Sequence, residues 1–428
     1  MFTKRILPVL FRTVKHYRFL IIYCLIFNAF SSEAKSMDST MVKEFYSANH
    51  HKIYWFATPQ NTKRAADWFS YIDMADSLGL ISDKVKSFQI ELALTNSKLI
   101  DSTHLMEVDA LITGQVLSYI KMYQQSNITF QYDAISVSQD KHYVNLLLKS
   151  PTNEPIAEFI SKLECADPEY LQLKQYLKDS IATTDMLKAK IVTLAMNYRK
   201  YIAINRKSEY IMVNIATNEA VYYKDGKIAL TMRVVVGRKA NPTPTIASYI
   251  TGVVTFPYWN VPRSIAMKEI LPKAKLSPKY LEEHQYEVVD SKGELVEDSL
   301  LQWSKYNAKY FPYFFRQATG DENALGVLKF DLQNPFRIYL HDTSNPGAFT
   351  KSSRFLSHGC VRLEKPFELA SLILPGKIDM DKLKSGDKNI KPKTLHLTHK
   401  LPTFIIYLPL KIVDDKVQFV EDEYGVIK

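Results

Sequence analysis

Tyr210-Ile-Met-Val-Asn-Ile215 and Ala220-Val-Tyr-Tyr223, then Asp225-Gly226 and Ile228-Ala-Leu-Thr-Met-Arg-Val-Val-Val236, decide the fold. Apolar side chains recur there with a period near two, and Asp-Gly between alternating runs is the signature of a tight β-hairpin. Further strands are expected at 250–256, 336–341, 395–398 and 404–412. Upstream the period changes to that of a helix. Ala65, Trp68, Phe69, Ile72 and Ala75 form one stripe, with Gly79 as a stop, and Leu105, Val108, Leu111, Ile112, Val116 and Tyr119 form another. Asp185 is placed to cap a helix carrying Leu187, Ile191, Leu194 and Tyr198. Glycine and proline mark the same change. Only Gly79 and Gly114 of thirteen glycines precede residue 209, whereas fourteen of nineteen prolines follow it. The expected class is α+β: a helical unit over 35–205, then a mostly β unit over 206–428. A charged, aromatic-rich stretch at about 264–325 interrupts the strands, as a capping insertion would.

With 428 residues, 46% of them hydrophobic, the chain can bury more than one core. The net charge of +10 comes without zinc-finger spacing or an aromatic RNA-binding motif, so nucleic acid is not expected as a partner. Residues 1–34 hold five basic residues and one acid: Lys4, Arg5, Arg12, Lys15 and Arg18 precede the apolar run 19–30 and Ser31-Ser32-Glu33-Ala34. That order is a secretory signal with a cleavage site after Ala34; an uncleaved membrane anchor is the alternative. Cleavage takes the net charge to +6 and places the protein in the periplasm or cell envelope. Tyr23 before Cys24 argues against lipidation.

The chemistry concentrates in Ser357-His358-Gly359-Cys360-Val361-Arg362, preceded by Tyr339-Leu340-His341-Asp342. A cysteine attacks as its thiolate, and a neighbouring imidazole is the usual means of forming it. His358 is too close along the chain for a straight hydrogen bond to Cys360. His341, with sixteen residues before His358, lies far enough away to fold back, and is assigned as the base. Gly359 lets the backbone turn so that its N–H and that of Cys360 face one oxyanion. A buried structural thiol beside core histidines is the competing reading, and the clustering of Cys, Gly and two His argues against it. No metal is expected, because the spacing is not that of a zinc site. Cys165 is read as a structural thiol.

The motif resembles the signature of L,D-transpeptidases with a YkuD-type catalytic domain, in which a His, a gap of this length and Ser/Thr-His-Gly-Cys recur. Further segments are similar to the long YcbB-like branch: Phe256-Pro-Tyr-Trp-Asn-Val-Pro-Arg263, Asn323-Ala-Leu-Gly326 before Lys329-Phe330, Asn334-Pro335, Phe419 to Tyr424, and, for its scaffold domain, Trp55-Phe-Ala-Thr and 64–79. Arg362 stands where many short members have Asn, and no segment resembles the peptidoglycan-binding helical module. The resemblance implies a transferase of cell-wall biogenesis, without cofactor, acting on peptidoglycan tetrapeptide stems as donor and acceptor. Cys360 would form a thioester with release of D-Ala, and a second stem would resolve it as a 3→3 crosslink. Hydrolysis by the same thiol (an L,D-carboxypeptidase or endopeptidase) and a non-catalytic wall-binding protein are the alternatives. His341 would move the protons, and Gly359 and Cys360 amides, helped by Tyr339, would hold the oxyanion. Arg362 would fix the loop or a substrate carboxylate, Trp259 would line the donor groove, and Ser357 and His358 would shape the site. Carbapenems would acylate the same thiol.

Overall fold

The computed structural model describes residues 40–73, 102–125, 128–136, 140–180, 185–320, 322–385 and 390–427. The expected signal segment and Gly79 lie outside them. Two compact units divide the chain. The first holds the described residues up to 128, then 137–171 and 196–203; the second holds 129–136, 172–195 and everything from 204 onward.

The first unit is helical. Helix α1 (Thr40–Ala48) buries Met41, Val42, Phe45 and Tyr46, a spacing that puts all four on one face. That face packs on α3 (Ser102–Gln125) and α4 (Asp140–Lys149), while α2 (Pro59–Asp73) lies on α3. Of the stripes read from the sequence, Ala65, Trp68, Phe69 and Ile72 on α2 and Val108, Leu111, Ile112, Val116 and Tyr119 on α3 are buried, Leu105 is partly buried, and Ala75 lies outside the described residues. One polar group organises this core. Asp109 is fully buried, and its carboxylate accepts the backbone N–H groups of Tyr54 (3.0 Å), Trp55 (2.7 Å) and Phe56 (3.3 Å) and the Tyr46 hydroxyl. It therefore ties the 54–56 loop to α3.

Ten strands form the main sheet of the second unit. These are β1 (Tyr132–Asp133), β2 (Glu209–Asn214), β3 (Glu219–Lys224), β4 (Lys227–Gly237), β5 (Ile246–Thr255), β9 (Leu328–Leu332), β10 (Leu340–His341), β11 (Phe355–Ser357), β12 (Val361–Leu363) and β13 (Lys393–Ile406). Along the path β5-β13-β2-β3-β4-β12-β10-β9, the last strand pairs back onto β5 and closes the sheet. Alternate residues from these strands fill one core, among them Val213, Tyr222, Val234, Val253, Phe330, Leu340, Val361 and Ile405. The expected hairpin is present, with Asp225 (φ 50°) and Gly226 (φ 75°) in the left-handed conformation a two-residue turn needs. Tyr210 and Tyr223, directly opposite in β2 and β3, stack at 4.5 Å. Asp185 Oδ1 accepts from the Lys188 amide at 3.0 Å, the expected cap of α5 (Met186–Asn205).

Three strand expectations change. The strand expected over 336–341 shortens to 340–341. Asn334 accepts the amides of Phe336 (3.0 Å) and Ile338 (3.1 Å) and donates to the Ile338 carbonyl (2.7 Å), taking the groups a ladder would use. The segments at 395–398 and 404–406 are one strand, β13, interrupted by a bulge between His396 and Leu401. Residues 410–413 instead form β14 (Leu410–Val413), paired with β15 (Lys416–Phe419). The insertion carries its own apolar cluster around Ile270, Leu271, Phe311 and Phe315, and a three-stranded sheet of β6 (Trp259–Asn260), β7 (Tyr286–Val289) and β8 (Phe314–Gln317). It also contains a π-helical turn, Ala266–Ile270.

Replacing Asp109 with Ala strands the buried Trp55 amide, the partly buried Tyr54 and Phe56 amides and the buried Tyr46 hydroxyl, and is expected to destabilise the helical unit by on the order of 3 kcal/mol or more. Thermal unfolding of the full chain followed by far-UV circular dichroism checks this, and an unchanged transition would contradict the organising role given to Asp109.

Candidate active site

The motif residues meet where β10 and β12 run parallel. Leu340 is opposite Val361 and His341 opposite Arg362, and the Val361 amide donates to the Tyr339 carbonyl at 3.1 Å. Because Ile338, Leu340, Val361 and Leu363 point into the core, the alternate residues Tyr339, His341 and Arg362 share the other face, and Cys360, partly buried against the core, immediately precedes β12. The rings of Tyr339 and His341 meet edge to face at 5.6 Å. On that face β9 adds Lys329, opposite His341, which lies 5.1 Å over the Tyr339 ring and pairs with Asp331 at 2.7 Å.

Cys360 is held from several sides. Its Sγ lies 3.8 Å from the Arg337 carbonyl, and both the backbone amide and the hydroxyl of Tyr339 hydrogen-bond to it. The Tyr339 hydroxyl also hydrogen-bonds with the Trp259 side chain, so Trp259, at the base of the insertion, is linked to the sulfur through one tyrosine. Burial pushes the thiol pKa above its ordinary 9.0, against the lowering pull of Tyr339, Lys329 and Arg362. His341 is buried, and its Nδ1 donates to the Asp342 carbonyl at 2.5 Å. That bond fixes the tautomer that leaves Nε2 as the basic nitrogen. Burial, then Arg362 and Lys329, push its pKa down to about 3. The resting pair is thus a neutral thiol and a neutral imidazole, where the sequence pointed to an ion pair.

Asp342 is anchored in turn. Its carboxylate accepts the Val327 amide at 3.0 Å, and a Cβ at Gly326 would lie 2.2 Å from its Oδ2, so only glycine fits there. Asn323, fully buried, reaches the carbonyls of Pro257 (3.2 Å) and Ala318 (2.7 Å) and so joins this loop to the insertion.

The other motif residues divide into structural supports and exposed groups. Ser357 Oγ donates to the Cys360 carbonyl at 2.6 Å and accepts the Gly359 amide at 3.1 Å. The Gly359 N–H, expected as an oxyanion donor, is therefore already engaged. His358 turns away from the sulfur: its Nε2 lies 2.8 Å from Glu269 Oε1, on the π-helical turn, and 2.9 Å from Arg238 Nη2. Arg362 is half-buried, and its Nε has no partner among the described residues. Neither Cys165 nor Cys360 takes part in a disulfide among the described residues. Among the described residues, no group of three or more His, Cys, Asp or Glu side chains is placed to hold a metal ion, and no helix is long and apolar enough to cross a membrane.

Residues 208–381 match the YkuD family, the L,D-transpeptidase catalytic domain, and residues 40–177 match the Scaffold domain. The chain thus joins a Scaffold domain to an L,D-transpeptidase catalytic domain of the YkuD family. It is 33% identical over 336 residues to a Haemophilus influenzae protein named "Putative L,D-transpeptidase", an alignment covering 74% of this chain and 66% of that protein. Solved structures with which it aligns include a mutant of an Enterococcus faecium L,D-transpeptidase (11% identity, 56% of this chain and 83% of that one, TM-score 0.20). Mycobacterium tuberculosis L,D-transpeptidase 1 aligns at 11% identity over 46% of this chain and 61% of that one, with a TM-score of 0.18. Scores this low carry no argument about the site.

A thiol with a raised pKa gains thiolate only as pH climbs. Alkylation of Cys360 by iodoacetamide, followed by peptide mapping, is expected to accelerate steadily from pH 6 through pH 9. A plateau reached below pH 7 would show a preformed thiolate–imidazolium pair and contradict the neutral resting state.

Proposed function

We propose that the protein is an exported L,D-transpeptidase that forms 3→3 crosslinks in peptidoglycan through a thioester on Cys360. The reading is carried by one observation: the parallel pairing of β10 with β12 brings His341, its imidazole tautomer fixed, opposite Arg362 and next to the segment that carries Cys360, inside a domain matching the L,D-transpeptidase catalytic family. His341 Nε2 takes the thiol proton as Sγ attacks the carbonyl carbon of the third, diamino-acid residue of a tetrapeptide stem. The C–N bond to D-Ala breaks, and the departing amine receives that proton. An amine from a second stem then attacks the thioester, gives up a proton through His341, and leaves Cys360 as the thiol. Carrying the proton on a neutral imidazole suits a buried site, where separated charges are costly.

The other site residues fit this course. Arg362, with an unpartnered buried Nε beside the sulfur, suits a substrate carboxylate. Trp259 and Tyr339 brace the thiol, and the insertion that Trp259 opens forms the wall of the donor groove. The basic, apolar amino-terminal segment supports export to the periplasm, with an uncleaved membrane anchor as the variant form. The net charge of +6 that remains after cleavage suits an anionic wall.

Meropenem is expected to add one acyl group to the wild-type chain and none to Cys360→Ala, as read by intact-protein mass spectrometry. An adduct surviving in the variant would remove Cys360 from the nucleophile's role. Incubation with disaccharide-tetrapeptides should give crosslinked dimers and free D-Ala; shortened monomers alone would make the enzyme an L,D-carboxypeptidase. His341→Gln should slow D-Ala release by roughly 100-fold or more, whereas His358→Gln should cost far less. Equal losses would contradict the assignment of the base.

A further inference from the structure

We propose that Thr243 and Tyr424 are positioning residues that aim the Cys360 backbone amide at the oxyanion of the acyl-transfer step, which makes the carboxyl-terminal segment part of the machinery around the thiol. The inference rests on Cys360 being the acyl acceptor.

The argument starts from one peptide unit. A planar trans peptide carries its C=O and N–H on opposite sides, so whatever fixes the carbonyl of Gly359 also fixes the amide of Cys360. That carbonyl accepts a hydrogen bond from Thr243 Oγ1 at 2.8 Å. Thr243 Oγ1 itself accepts the Gly237 amide at 2.8 Å, so its single proton is committed to Gly359. Gly359 sits at φ +120°, and a Cβ there would come within 3.2 Å of Ile338 Cδ1, which keeps this backbone shape to glycine.

Three of the polar groups at this turn are thus taken. The Gly359 carbonyl goes to Thr243, the Gly359 amide to Ser357 Oγ, and the Cys360 carbonyl to Ser357 Oγ as donor. The Cys360 amide has no acceptor among the described residues and faces away from Thr243. A preorganised free N–H next to the attacking sulfur is what a developing oxyanion requires.

Thr243 is held by the end of the chain. Its amide donates to Tyr424 Oη at 3.1 Å, and the Tyr424 hydroxyl donates to the Gly237 carbonyl at 2.5 Å. Tyr424 therefore bridges both ends of the 237–243 turn. That turn closes tightly, since a Cβ at Gly237 would lie 2.2 Å from the Asn241 carbonyl oxygen. Tyr424 is itself fixed: its ring stacks on Tyr407 at 4.9 Å, its amide donates to the Tyr407 hydroxyl at 2.9 Å, and that hydroxyl donates to Asp422 at 2.6 Å. Asp422 also accepts the amides of Gly425, Val426 and Ile427, which pins the last residues in place.

The test separates an oxyanion effect from a thiol effect or a folding defect. Meropenem acylation of Cys360 develops an oxyanion, whereas iodoacetamide alkylation at the same pH needs only the thiolate. In the full chain, Thr243→Val and Tyr424→Phe should slow acylation ~10-fold or more while alkylation stays within about twofold of wild type. Thr243→Ser, which keeps the hydroxyl, should acylate at close to the wild-type rate. Unchanged acylation, or an equal fall in both rates, would overturn the positioning role. Absence of any meropenem adduct on the wild-type chain would instead overturn the acyl-acceptor reading, and the proposal with it.

Discussion

The site depends on the parallel pairing of β10 with β12. Two short strands, of two and three residues, bring together segments separated by about twenty positions in the chain. A shift by one residue would turn Arg362 and His341 into the core and bring Val361 and Leu340 out. The apolar partners prevent that slip, because Leu340, Val361 and Leu363 are almost fully buried and β9 and β4 grip the pair from outside. Core packing thereby fixes the face on which the reactive groups appear.

Around that register, the polar groups are satisfied in a pattern that leaves reactive atoms open. His341 uses Nδ1 on the Asp342 carbonyl and keeps Nε2; at the turn the Gly359 carbonyl and amide and the Cys360 carbonyl are engaged, and the Cys360 amide is not. Burial makes such a pattern costly to disturb, since an orphaned polar group in this setting costs free energy of about 1–3 kcal/mol. It also makes thiol and imidazole neutral at rest, so charge develops only during attack. His358, Glu269 and Arg238 form a separate, more exposed cluster that joins the motif loop to the π-helical turn of the insertion. Local π-helical geometry is frequent at functional positions, and here it carries the carboxylate that meets the motif.

Much of the fold was legible because periodicity reports burial. The stripes on α2 and α3 and the Asp225-Gly226 hairpin follow directly from residue spacing. What failed to show was anything set by side-chain competition for backbone groups. Asn334 ended the strand expected from 336, and a bulge joined two segments into β13. The strand at Tyr132–Asp133 is too short to leave a periodic trace, yet it pairs with β5 inside the β-rich unit. Cysteine and histidine announced the site by chemistry and spacing. Of the two amides that the sequence offered to the oxyanion, that of Gly359 is engaged by Ser357 Oγ and that of Cys360 is left open. Thr243 and Tyr424 carry no reactive group, and their importance lies in contacts across 116 and 181 positions that no local pattern encodes.

The most direct test of the account is to catch the covalent intermediate on a natural donor. Rapid-quench mass spectrometry of the full chain mixed with a disaccharide-tetrapeptide should find the donor minus its terminal D-Ala attached as a thioester to the peptide containing Cys360, appearing in step with free D-Ala. Release of D-Ala with no adduct at Cys360, or an adduct on any other residue, would contradict it.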